Sequence, residues 1–211
     1  MKEIKGKLQI CDSREIAIAA EKLRDGQYEL TIYPNRLHFT QWGMHPKDRI
    51  CLVEYRSISE YEERVIPKGL AEEIVNKDLQ LVEPGAGLAE FVPKIALQAR
   101  KRPIVIDPLD YEAIRSLLEG AQEIRKVNQE NRQLIQELLR RIDIYLDPGL
   151  VRLFNMNLDQ ACKEYPYLEG IADIVVDVGG PLLYSDDPEK TYQLESNWLL
   201  RKNPPGRFYH P

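Results

Sequence analysis

The chain is poor in the residues that most often announce a chemistry. Among its 211 residues there are 3 cysteines and 3 histidines. Cys11, Cys51 and Cys162 are far apart, odd in number and without a CxxC pair, which excludes a disulfide framework and fits a reducing compartment. His38, His45 and His210 are too few for extensive acid/base chemistry, and His38, His45 and Cys51 lack an evident fourth ligand, so no metal site is expected. No apolar run approaches the roughly 20 residues of a bilayer span, and "MKEIKGKLQI" has no secretory h-region. The expectation is a soluble, cytoplasmic protein without membrane contact. With 29 basic against 34 acidic side chains, a net charge of −5 gives no global attraction to phosphate backbones. GxxxxGK[ST], HExxH and GxSxG do not occur, so no catalytic residue and no cofactor is assigned.

What is present suffices for a core, since 43% of the residues are hydrophobic. Residues 1–103 read as an α+β domain. "KGKLQI" predicts a strand, and "SREIAIAAEKLRDG" a helix with Ser13 as its N-cap and Gly26 at its end. "QYELTIY", "RLHFTQW" and "RICLVEY" alternate apolar and polar residues between turns, which predicts an antiparallel three-strand meander. Helical stretches flank it near 58–76 and 88–100, separated by "LQLVEPGAG", a strand followed by a turn. "ARKRP" then reads as a basic hinge, and "IVI" as one last strand.

Residues 104–147 carry the strongest periodicity. "DPLD" supplies an acidic cap, a proline at the first helical position and a further acid in the first turn. A three-four spacing then links Ile114, Leu117, Ala121, Ile124, Asn128, Asn131, Ile135, Leu138, Ile142 and Tyr145, with polar residues opposite, which predicts one long heptad-type helix ending at "DPG". Asparagines in such a seam are a device for fixing register and oligomer number. All of these except Ala121 and Tyr145 form the expected protein-interaction surface, with a second copy or a larger protein assembly as partner.

Residues 148–211 read as a small α/β segment with a proline-rich tail. Within it, "DIVVDVGGPLLY" contains "VVDVGG", which resembles the strand and acidic glycine loop of class I methyltransferases and the first phosphate loop of actin-like ATPases. The methyltransferase resemblance implies further strands and helices after the loop to hold an adenosine. Too little chain follows Gly180 to build them, and Pro181 removes an amide. Gly179, Gly180 and Pro181 are therefore read as a turn between two strands.

The expected class is thus α+β: an antiparallel meander with flanking helices, a long helix and a small α/β segment. The expected function is a non-catalytic adaptor or structural component associating through the helix. The alternative is a nucleic-acid-binding regulator, because Arg36, His38 and Trp42 share a strand face and Arg100, Lys101 and Arg102 form a basic cluster. A residual reading is an enzyme acting through carboxylates such as Asp12, Glu54, Asp107 or Asp173, which clustering of buried acids would revive.

Overall fold

The computed structural model describes residues 5–10, 16–23, 26–33, 36–42, 50–122, 129–178 and 180–211. They form two compact units, one of Met1–Tyr55 with Asp110–Ile142 and one of Arg56–Leu109 with Asp143–Pro211.

The first unit holds a five-stranded antiparallel sheet in the order β1 (Lys5–Ile10), β2 (Ile16–Leu23), β3 (Gly26–Tyr33), β4 (Arg36–Trp42) and β5 (Ile50–Glu54). β2 replaces the helix expected there. Its alanines, Glu21 and Lys22 favour a helix locally, but Ile16 and Ile18 stand at a spacing of two and pair with Ile32 and Leu30 of β3 and with Ile10 and Leu8 of β1. Ladder pairing to a strand on each side outweighs the local preference. Ser13, the expected cap, lies outside the described residues, and Gly26 begins a strand. The same unit contains α4 (Tyr111–Gln122) and most of α5 (Gln129–Leu146). Ile114, Leu118, Ile135, Leu138 and Ile142 are fully buried. Arg141 donates to the Tyr55 carbonyl at 2.9 Å and to Glu137 at 2.9 Å. Hydrogen bonding from Arg140 and Arg141 holds the Glu137 carboxyl down at about 2.

The second unit overturns the expected fold class. It is an α/β unit built on a five-stranded, all-parallel sheet, not on an antiparallel meander. Its strands are β6 (Leu81–Pro84), β7 (Ile104–Ile106), β8 (Arg152–Phe154), β9 (Ile174–Val176) and β10 (Arg207–Tyr209), in the order β10-β9-β6-β7-β8. Strands of three or four residues are too short to show a period, which is why "RLF" and "RFY" escaped notice and the tail appeared structureless. Parallel strands need crossover connections. Here these carry α3 (Phe91–Ala96), α6 (Leu158–Glu164), α7 (Pro181–Tyr184), α8 (Pro188–Gln193) and a π-helical segment, Leu194–Leu199. "PLLYS", expected as a return strand, begins α7, with Pro181 in its first turn where a missing N–H costs nothing.

Burial on both faces holds this sheet together. Val82, Ile104, Ile106 and Val175 join Leu158, Ala161, Leu168 and Leu199 in one cluster. The alternate positions, Leu81, Val105, Ile174 and Val176, are buried as well. Upstream, α1 (Ile58–Arg64) starts with a capping box between Ser57 and Glu60, and α2 (Leu70–Asn76) buries Leu70, Ala71 and Ile74. Among the described residues no helix is long and apolar enough to cross a membrane.

Ile104→Ala should cost about 2 to 5 kcal/mol, because a fully buried strand residue is replaced by a cavity. Leu97→Ala, on an exposed side chain, should stay within about 0.5 kcal/mol. Urea denaturation of both variants checks the assignment of this sheet as the core.

Candidate functional site

Taken in chain order, the strands of the parallel sheet lie third, second, first, fourth, fifth, so the order reverses between β6 and β9. Open parallel sheets bind ligands outside the carboxyl ends of their strands at such a reversal. β6 runs into Glu83, Pro84, Gly85, Ala86 and Gly87, and both glycines have positive φ, 64° and 56°. That region is open to glycine at little cost, so the chain can make a tight turn here. Gly85 N donates to the Ile106 carbonyl at 2.9 Å. Gly87 N donates to Asp107 Oδ2 at 2.8 Å, and Asp107 Oδ1 accepts from Leu109 N at 2.9 Å. Asn155 Nδ2, just after β8, donates to the carbonyl of Asp107 at 3.1 Å and to that of Leu109. The turn after the first strand and the carboxylate after the second are thus fixed to each other.

The loop after β9 closes on the same turn. Asp177 accepts from Gly180 N at 2.7 Å and from Leu182 N at 3.0 Å, which curls the chain over the strand end. A Cβ added at Gly180 would lie 2.3 Å from the Pro84 carbonyl oxygen, and one at Gly85 would lie 2.4 Å from Gly180 Cα. Backbone therefore meets backbone, and neither position has room for a side chain.

Four buried acids collect around this junction: Glu83, Asp107, Asp177 and Glu195. Tyr61 Oη donates to Glu83 Oε1 at 2.7 Å, while Glu83 Oε2 has no hydrogen-bond partner. Burial pushes the Glu83 carboxyl up to about 8; the Tyr61 bond opposes this, and Asp177 and Asp107 add to it. Burial, with Glu83 next, holds the Tyr61 phenol well above its usual range. Tyr61 also stacks on Phe91 with ring centroids 5.5 Å apart, which fixes the phenol toward β6.

Of the carboxylates named from sequence, Asp107 alone belongs to this group. Asp12 lies outside the described residues, and Glu54 lies in β5, opposite Arg36 in the register. Asp173 precedes β9 at the other end of the sheet, where it accepts from Gln80 N at 2.8 Å and pairs with Arg201. Gly180 leads into α7, so the turn between two strands expected there is not formed.

Arg36, His38 and Trp42 occupy alternate positions of β4. Arg100, Lys101 and Arg102 lie between α3 and β7 in the other unit, with Arg102 donating to the Pro148 carbonyl at 2.5 Å. Along the expected seam, Ile114, Ile135, Leu138 and Ile142 are buried within the single chain. Leu117 and Asn131 are helical, and Ile124 and Asn128 lie outside the described residues, as does His45.

The sequence reads "LQLVEPGAG" correctly as a strand and a turn but gives the turn no functional role. Its signal was an acid inside a strand, two glycines one residue apart, and a second strand ending in an acid, "IVID", about 20 residues on. The chain matches no protein-family model, no curated protein and no solved structure. Among the described residues no group of three or more His, Cys, Asp or Glu side chains could hold a metal ion.

Gly85→Ala should destabilise the protein by about 2 kcal/mol or more, since it combines a left-handed conformation with backbone overlap; thermal or urea unfolding measures it. Glu83 gives a pH signature. Its folded carboxyl sits at about 8, against roughly 4.3 in an unfolded chain. Across that window the folded state keeps a proton that the unfolded state releases, so stability falls as pH rises. Glu83→Gln should flatten this part of the profile in melts taken between about pH 5 and about pH 8.

Proposed function

We propose that the parallel-sheet unit binds S-adenosylmethionine and serves methyl transfer. The observation that carries this reading is the Gly85–Gly87 turn after the first strand at the strand-order reversal, tied through Gly87 N to the Asp107 carboxylate at the end of the second. A glycine turn lets a ligand approach backbone, and an acid at the end of the next strand is placed to accept from ribose hydroxyls. The glycine loop of "VVDVGG" follows the fourth strand of this sheet in chain order, whereas a methyltransferase has its glycine loop after the first. "LVEPGAG" ends the first strand, at the strand-order reversal, and the other four strands of the sheet come after it.

A phosphate-bearing dinucleotide is disfavoured by the same residues. Glu90 stands where a dinucleotide turn has its third glycine, and its carboxylate accepts from Ile58 N at 3.1 Å. α3 is six residues long with Pro93 in its first turn, so its start offers few amides to a phosphate. The buried carboxyls Asp107 and Asp177 disfavour a pyrophosphate, and a cation at Glu83 would favour its ionised form.

S-adenosylmethionine supplies a methyl group on a positively charged sulfur. Glu83 Oε2, buried and without a hydrogen-bond partner, is the atom best suited to face the cofactor's positive charge, which would draw the carboxyl's proton off. Asp107 would hold the ribose, and the Asp177 loop would cover the glycine turn from the β9 side. Tyr61 keeps one Glu83 oxygen occupied and thereby orients the other. A cytoplasmic setting suits both the cofactor and the scattered thiols; burial pushes Cys162 up to about 12, where it is inert.

Isothermal titration of the full chain should show S-adenosylmethionine binding and no NAD binding. Asp107→Ala should weaken it by about tenfold or more, roughly the loss of one good hydrogen bond to a charged group. NAD bound more tightly than S-adenosylmethionine, or an unaffected Asp107→Ala variant, sinks the assignment.

A further inference from the structure

Glu195 is the one buried acid at this junction that the proposed cofactor role does not use. It lies in the π-helical segment Leu194–Leu199, has no exposed surface, and neither of its oxygens meets a hydrogen-bond donor. π-Helical turns are rare and concentrate where a side chain must be aimed at a functional site. The Leu194–Leu199 segment packs on β9, and the Asp177 carboxyl at the end of β9 and the Cys162 thiol of α6 are near enough to Glu195 to act on it electrostatically. Glu83 of β6 acts on Asp177's side of the junction, the half-buried Asp159 and the exposed Lys190 act on Cys162, and the buried Arg56 donates to the carbonyl of Val178, next to Asp177. No cation faces Glu195 directly among these groups.

Two ionised carboxylates in contact repel, and burial in a poorly polarisable interior makes the repulsion costly. With one proton between them they form an O–H···O bond instead. Asp177 already accepts from Gly180 N and Leu182 N, a task for acceptor oxygens. Glu195 has no donor to accept from, so the proton belongs on Glu195.

We propose that Glu195 is a positioning residue, held as the neutral acid and donating its proton to Asp177, so that the pair bears a single negative charge and fixes the β9 loop against the glycine turn. The hydrogen bond would lock the Asp177 rotamer, Asp177 holds Gly180 and Leu182 by their amides, and Gly180 bears on the Pro84–Gly85 backbone. Burial, with Asp177 next, pushes the Glu195 carboxyl up to about 10, in the direction the geometry requires.

The test compares full-length wild type with Glu195→Gln, which keeps a donor toward Asp177 and cannot ionise. Unfolded wild type releases the Glu195 proton above the ordinary carboxylate range while the folded chain retains it, so wild-type stability falls with rising pH and the variant's does not share that loss. The melting-temperature advantage of Glu195→Gln should widen by about 3 °C or more from about pH 5 to about pH 9. Parallel melting profiles overturn the proposal. If Glu195→Gln does not fold, the carboxyl carbon resonance of Glu195 in the wild type decides. A shift that stays at the protonated position to about pH 8 supports the proposal, and a midpoint near the unperturbed value of roughly 4.3 overturns it.

The effect on the cofactor rests on the reading above. Glu195→Ala should weaken S-adenosylmethionine binding about tenfold, and Glu195→Gln should remain within about twofold of wild type. Equal affinities for Glu195→Ala and wild type would reject the positioning role. No binding by wild type would reject the cofactor instead, and the melting comparison would still decide the protonation of Glu195.

Discussion

The close approach of Gly180 to the Pro84–Gly85 backbone is the constraint on which the rest of the site depends. Two loops that follow neighbouring parallel strands ordinarily diverge under the side chains they carry. Here neither loop has a Cβ at the crossing, and the chains meet at a distance that any alanine would violate. That approach sets how near the acids of β6 and β9 come to each other. Glu83 and Asp177 are neighbours because their strands pair and because nothing separates the loops beyond them.

Crowding of carboxyls then dictates the electrostatics. In water such a group would simply ionise, but Glu83, Asp177 and Glu195 are almost wholly shielded, where each added negative charge is costly. The protein has three remedies for this. Backbone amides bond Asp107 and Asp177, a phenol and retention of its own proton serve Glu83, and protonation serves Glu195. The first remedy leaves the carboxylate negative and rigid, the second leaves one oxygen of the acid unpartnered, and the third removes the charge. A site assembled this way favours a ligand that brings positive charge and hydroxyl donors, and discourages one that brings phosphate. The cofactor assignment rests on this difference as much as on the shape of the glycine turn.

Legibility of the fold followed element length. Residues 26–54 carry strands of five to eight residues whose alternation is readable, but β2 was hidden by alanines that favour helices in isolation. The parallel sheet was the hardest part to see, because three-residue strands buried on both faces have neither alternation nor length. Their partners are distant in sequence, β6 lying between β7 and β9 although some 90 residues separate Val82 from its partner Val175. The candidate site suffered accordingly. "VVDVGG" drew attention because an acid and two glycines stand together, while "LVEPGAG" looked like an ordinary strand and turn. The meaning of either depends on strand order, which no local pattern encodes.

Shortness of the strands also explains why the site is built from caps. A ladder of three or four residues contributes few hydrogen bonds, so β6, β7 and β9 cannot by themselves fix the direction in which the chain leaves them. The side chains at their ends do it: Asp107 takes the Gly87 amide, Asn155 takes the carbonyls of Asp107 and Leu109, and Asp177 takes the amides of Gly180 and Leu182. Each of these groups serves the fold and the site together, since the atoms that terminate a strand also set the loop a ligand would touch. Such a junction resists being tuned for one purpose alone. Removing a carboxyl to relieve buried charge would release a loop, and lengthening a loop to open the site would strand an acid in the interior without its amides. The acids therefore persist where burial alone would remove them.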